Sequence, residues 1–260
     1  MIDLVDSHCH LDSPQFDADR EAVIGRSVKS GVRRVINPGV DVPSSRAAVA
    51  LAQQHESIYA AVGIHPHDAK VLDADALEEL KRLAQSPKVV AIGEIGLDYY
   101  RDLSPRDVQR RAFEMQLEMA AELGLPVIVH DRDAHDDMLV ALSHWRATLH
   151  EHPGVLHSFS GDMSLAERAL AMGFFIGISG PVTYKNADRL RQVVRAVPLE
   201  QLLVETDAPY LTPQPRRGQR NEPAYVRMVA QAVADARGLT LEQVAAQTTA
   251  NAGAFFGLTG

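Results

Sequence analysis

Short runs rich in valine and isoleucine recur along the chain. After each one the apolar positions change from strand-like spacing to the spacing of an amphipathic helix. The runs cover residues 2–8, 33–39, 58–64, 89–95, 126–131, 154–159, 174–179 and 202–207, eight strand candidates in all. Helix-start signals fall between them. Ser104-Pro105 joins a capping residue to a proline suited to a first turn, while Ser164-Leu165-Ala166-Glu167 and Thr240-Leu241-Glu242-Gln243 have the capping-box form. Met115 and Met119 repeat at helical spacing and are expected in the core.

Strand and helix alternate from start to finish, with no Pro/Gly/Ser-rich linker, short repeat or low-complexity tract. The pattern predicts one α/β domain over residues 1–260. Eight β-α units in about 250 residues match the size and count of a TIM (β/α)8 barrel, with a doubly wound open sheet as the alternative. The polar residues decide between them, because barrel active sites gather where the strands exit.

Composition narrows the class. A hydrophobic fraction of 46% with 23% charged residues is that of a globular chain with a sizeable core. No apolar stretch approaches the roughly 20 residues that span a bilayer, and the first residues lack a basic n-region, so no membrane partner is expected. Cys9 is the single cysteine, which fits a reducing compartment; the expectation is a cytoplasmic monomer. A net charge of -8 argues against a protein that coats nucleic acid, though not against a nuclease with a local basic patch.

The first strand ends in His8-Cys9-His10. Period-two alternation puts both imidazoles on one face and turns Cys9 away as a packed thiol. Taken alone, that pair is as well explained by polar residues at a strand end. Four other apolar runs are interrupted in the same way: by Glu94 near the exit of the fourth strand, His130 of the fifth, His157 of the sixth and Asp207 of the eighth. An unpaired charge at such positions is costly to bury unless it coordinates something. In a barrel the six side chains converge, and four imidazoles with two carboxylates suit zinc, manganese, nickel or cobalt. Six ligands exceed what one catalytic zinc takes from protein, so two ions are expected.

The ordered segments DSHCHLD, GIHPH, GEIGLDYY, PVIVHDRDAH, GVLHSFSG, LLVETDAPYLTP and RGQRNEP resemble the TatD family of metal-dependent deoxyribonucleases across nearly the whole chain. The resemblance implies that His8, His10 and Asp207 hold one ion, that His130 and His157 hold another, and that Glu94 bridges them, the ions being divalent Zn, Mg or Mn. It also brings His65, with His67 less firmly, near the site, and His65 with Glu205 to a possible third metal or phosphate. The activity it implies is two-metal cleavage of DNA, as a 3′–5′ exodeoxyribonuclease. Asp207 is the expected general base, with Glu94 as its catalytic companion. Arg132, Lys185 and Arg217, with Arg216 and Arg220 beside it, are candidates for contact with substrate phosphates.

Other readings use the same residues. The same ions acting on a carbonyl would make a D-aminoacyl-tRNA deacylase or another amide or ester hydrolase, and a noncatalytic nucleic-acid module is a third class that the acidic balance disfavours. Glu222 reads most simply as a helix N-terminal acid. His55, His135, His144, His150 and His152 read as solvated histidines of helices and loops.

Overall fold

In the computed structural model, which describes residues 2–146 and 153–258, eight parallel strands follow one another in chain order around a single sheet. They are β1 (Leu4–Asp6), β2 (Val32–Pro38), β3 (Ile58–Val62), β4 (Val89–Asp98), β5 (Val127–Arg132), β6 (Gly154–Leu156), β7 (Phe175–Ile178) and β8 (Leu202–Val204). The sheet closes on itself: the Ser7 N–H donates to the Val204 carbonyl at 3.2 Å, the Asp207 N–H to the His8 carbonyl at 2.8 Å, and Cys9 bridges Ala208 in parallel. This is the TIM barrel, not the open sheet. Among the described residues no helix is long and apolar enough to cross a membrane.

Two apolar layers follow from the alternation of strand side chains. Val5, Ile36, Ala61, Ala91, Ile128, Val155, Phe175 and Leu203, one from each strand, pack together inside the barrel with Phe255 and Phe256. Those two phenylalanines come from the last helix, α9 (Leu241–Phe256), and plug the barrel floor; Phe255 lies 5.0 Å from Phe175 between ring centroids. The larger cluster faces outward under the surrounding helices and includes Leu4, Cys9, Ile92, Val129 and Ile176. Two residues beyond the inner layer, the same faces of β5, β6 and β8 carry His130, His157 and Glu205. The polar floor of the barrel mouth therefore rests directly on the apolar plug.

Several local expectations shift. Most strands end before the polar residues, since pairing stops where the chain splays at the mouth, whereas β4 continues to Asp98 and is buried throughout. Ser104 is not a cap: its hydroxyl donates to the His67 carbonyl at 2.8 Å, and Pro105 occupies the N-cap of α4 (Arg106–Leu123). Helix α6 (Met163–Ala171) is capped by Asp162, which accepts from the Leu165 N–H, rather than by Ser164. The Thr240 capping box forms as expected. Met119 is in the core and Met115 only half-buried.

Gly96 pairs with His130 across β4 and β5 at φ +143°, a backbone region closed to side chains, and a Cβ there would collide with the His130 carbonyl oxygen. Gly96→Ala is therefore expected to cost about 3 kcal/mol or more. In a chain of this size that is a fall in thermal midpoint of roughly 6–12 °C. An unchanged midpoint by calorimetry would show that the two strands can part without loss.

Candidate metal centre

Strand exits bring the site together from distant parts of the chain. His8 and His10 leave β1 with their Nε2 atoms 3.2 Å apart, and Cys9 between them points into the outer core. Glu94 of β4 is 3% exposed and stands at the centre. Its Oε2 is 3.3 Å from His8 Nε2 and 3.5 Å from His10 Nε2; Asp207 Oδ1 lies 3.5 Å from that same His10 nitrogen. Its other oxygen, Oε1, is 2.8 Å from His130 Nδ1, 2.8 Å from His157 Nε2 and 3.4 Å from His65 Nε2. One carboxylate thus divides its two oxygens between two groups of imidazoles.

The donor set fits divalent metal. His8, His10 and Asp207 form one compact ligand group, and His65, Glu94 and His130 another. The close nitrogen pairs, His8–His10 at 3.2 Å and His130–His157 at 3.3 Å, are spaced like the edge of a tetrahedron whose centre lies about 2.0–2.1 Å from each nitrogen. The structure does not join His65 and Glu205 as one group. Glu205 is fully buried, accepts from the Ser158 N–H, and falls with His8 and His157 instead.

The TatD related DNase family matches residues 5–257. This chain belongs to that family. It is 42% identical to the uncharacterized metal-dependent hydrolase YabD of Bacillus subtilis, over 97% of this chain and 98% of that one. It is 41% identical to the 3′-5′ ssDNA/RNA exonuclease TatD of Klebsiella pneumoniae, over 98% of both chains. The crystal structure of YJJV, a TatD homolog from Escherichia coli K12, superposes with a TM-score of 0.92 at 34% identity, covering 98% of each chain. This TatD protein is accordingly an enzyme, a metal-dependent hydrolase.

The electrostatics of the TatD site call for positive charge. Burial alone would raise Glu94, but His157, His65 and His8 around it hold its carboxyl well below the usual range. Asp207 is likewise held low against burial by His10, His8 and His157. Burial would lower His10, yet Asp207 and Glu94 lift it to about 9, and His130 and His157 are raised in the same way by their carboxylate neighbours. Burial wins at His8, which is lowered, and at His65, which falls to about 4. Ionised carboxylates pull protons onto the ring nitrogens that would otherwise bind a cation, and a divalent ion meets the same demand.

Two acids that sequence reasoning passed over hold this arrangement. Asp98 Oδ2 is 2.8 Å from His67 Nε2 and 3.2 Å from His130 Nε2, so it engages the far nitrogen of His130 and leaves Nδ1 facing Glu94. Such outer partners fix the tautomer and direction of a ligating imidazole. Asp6 is fully buried, and burial, against hydrogen bonds from Thr206 and His8, lifts it to about 8. It accepts from the Thr206 N–H and hydroxyl at 2.8 and 2.6 Å, tying the exits of β1 and β8 together beneath His8 and Asp207. The signal for Asp98 was its place in an unbroken buried strand, which the sequence shows only as GLDYY.

The cavity over the centre is about 570 Å³, lined among others by His10, Glu94, Arg132 and Asp207. Arg132 is at its wall; Lys185 and Arg217 are not, and Arg217 packs its guanidinium 4.3 Å over the Tyr184 ring. Arg220 is committed to a two-pronged pair with Asp19 at 2.8–2.9 Å, and Arg216 lies over the Tyr225 ring. Glu222 stands at the N-cap of the 3-10 turn Pro223–Tyr225, as expected, and also takes a bidentate pair from Arg26 at 2.7–3.2 Å. His144 is exposed, while His55 faces Glu21 at 3.2 Å and His135 pairs with Asp131 at 2.6 Å; His150 and His152 lie outside the described residues.

Proposed function

We propose that this TatD protein is a two-metal 3′–5′ exonuclease acting on single-stranded nucleic acid. The observation that carries the reading is the division of the Glu94 oxygens between the His8/His10/Asp207 side and the His65/His130/His157 side. With that arrangement His8, His10 and Asp207 would hold one divalent ion and His130 and His157 another, with Glu94 facing both groups. Relatives at about 40% identity named as 3′-5′ ssDNA/RNA exonucleases support this choice of substrate and polarity. When bound, such an ion pair neutralises charge on the phosphate and makes water a better nucleophile at neutral pH.

The chain's own residues account for the rest. Asp207, ionised and lining the cavity, takes the proton from the attacking water. Arg132 reaches a non-bridging phosphate oxygen from the wall, in the forked geometry that guanidinium offers. Lys185 and Arg217 do not line the cavity, so their place in this reading is with phosphates outside it. Glu205 anchors the Ser158 backbone behind His157.

Metal analysis beside a cleavage time course on 3′- and 5′-labelled strands tests the reading. Near two ions per chain is expected, with the 3′ label released first as a mononucleotide and the 5′-labelled strand shortening stepwise. Full metal content with every nucleic acid left intact would overturn it and turn the search to acyl bonds.

A further inference from the structure

Tyr100 and Tyr210 stand out among large apolar side chains. They are 62% and 54% exposed, yet both line the cavity over the metal centre. Tyr100 follows β4 and Tyr210 follows β8, and in an eight-stranded barrel these two strands lie across from each other. The rings therefore flank the mouth from opposite sides. Each also belongs to one half of the site. Tyr210 meets the His10 ring edge-on at 6.2 Å, beside Asp207, while Tyr100 has the Arg132 guanidinium 5.1 Å from its ring centre, next to His130.

Exposed side chains are ordinary on a surface, but two aromatic rings at the rim of one concave polar cavity stand where a bound ligand would meet their faces. Burial does not explain them, and neither ring completes a core cluster. Arg101 and Arg132, at the same wall as Tyr100, make no ion pair among the described residues, unlike Arg106 and Arg110 close by. Aromatic rings beside guanidinium groups that make no ion pair is the surface chemistry that holds unpaired bases together with their phosphates. A cavity of about 570 Å³ takes one or two nucleotides, not a stacked duplex.

We propose that Tyr100 and Tyr210 are stacking platforms that hold the two nucleobases on either side of the scissile phosphate, one against each wall of the mouth. This rests on the nucleic-acid reading above and deepens it. Bases can reach both rings only when they are splayed apart, so the pair selects unpaired ends without reading sequence. The two tyrosines are positioning residues: they touch bases and leave the reacting atoms to Glu94 and Asp207.

Tyr100→Ala, Tyr210→Ala and the matching Phe variants test this on a single-stranded oligonucleotide and on the same strand with its two 3′-terminal nucleotides abasic. Each Ala variant is expected to raise KM roughly 5- to 150-fold with kcat changed far less, since stacking on an aromatic ring is worth that much per base. Each Phe variant should restore KM, because the ring face and not the hydroxyl is used. On the abasic strand the Ala variants should match wild type. A strand with 2-aminopurine at its 3′ end, whose fluorescence falls on stacking, bound to Asp207→Asn protein gives a readout that needs no turnover. Lost quenching in either Tyr→Ala background supports the platforms even if no strand is cut, in which case the exonuclease reading alone falls. Wild-type KM and wild-type quenching in both Ala variants, or Phe variants as impaired as Ala, would overturn the proposal.

Discussion

Glu94→Gln is expected to abolish cleavage, by roughly 10³-fold or more, and to strip metal from both halves of the site together. Gln has the shape of Glu, so the cavity and the packing over Ile92 and Ile95 should survive. What goes is the charge. Five imidazoles within 3.5 Å of one carboxylate, on both of its oxygens, lose their common counter-charge in one step. Neither oxygen position can then serve as an anionic ligand, and an amide nitrogen cannot serve as a ligand at all. Metal content after dialysis, far-UV circular dichroism and a single-turnover cleavage rate check this together. A folded variant that keeps two ions and cuts within tenfold of wild type would remove Glu94 from the bridge.

The barrel was legible because its signal is repeated. Each of the eight strand candidates overlaps an observed strand, and alternation placed His8 and His10 on one side with Cys9 in the outer core. His130 and His157 could be placed for the same reason, each two residues beyond an inner-layer position, Ile128 and Val155. Strand lengths were less legible, because the buried positions continue through His157 and Phe159 after the ladder of β6 has ended at Leu156.

Contacts made across the whole chain left no local trace. Arg26 and Glu222 are 196 residues apart and pair at 2.7 Å, so the acid at this helix start is also half of an ion pair. Arg220 looked free in a dense run of arginines but is held by Asp19. Asp98 acts through His130, which pairing of β4 with β5 places beside it, and Asp6 through Thr206, which barrel closure brings to it. Arg132, by contrast, could be placed at the cavity wall from parity alone, while Lys185 and Arg217 depended on loop paths that no spacing rule specifies.

Asp207→Asn should be nearly as severe for turnover and almost silent for the fold. Asp207 sits at φ +57°, a left-handed conformation that asparagine tolerates better than other side chains, and its backbone N–H bond to the His8 carbonyl at 2.8 Å is untouched by the change. Ala at the same position would add backbone strain to the loss of the carboxylate, so Asn isolates the chemistry. The variant loses a proton acceptor, worth about 10²- to 10⁴-fold, and the anionic partner of His10 at 3.5 Å. kcat should therefore fall by roughly 10³-fold or more. KM should change little, because the function proposed above gives the hold on substrate phosphates to Arg132 and the opposite half of the site. The thermal midpoint of the metal-free protein should move by no more than about 2–4 °C, the shift that 1 kcal/mol produces at this size. Metal analysis separates the two roles of the carboxylate. Occupancy retained with turnover lost identifies Asp207 as the base, whereas loss of one ion with activity restored by excess metal confines it to ligation, and the proton must then leave through another group lining the cavity.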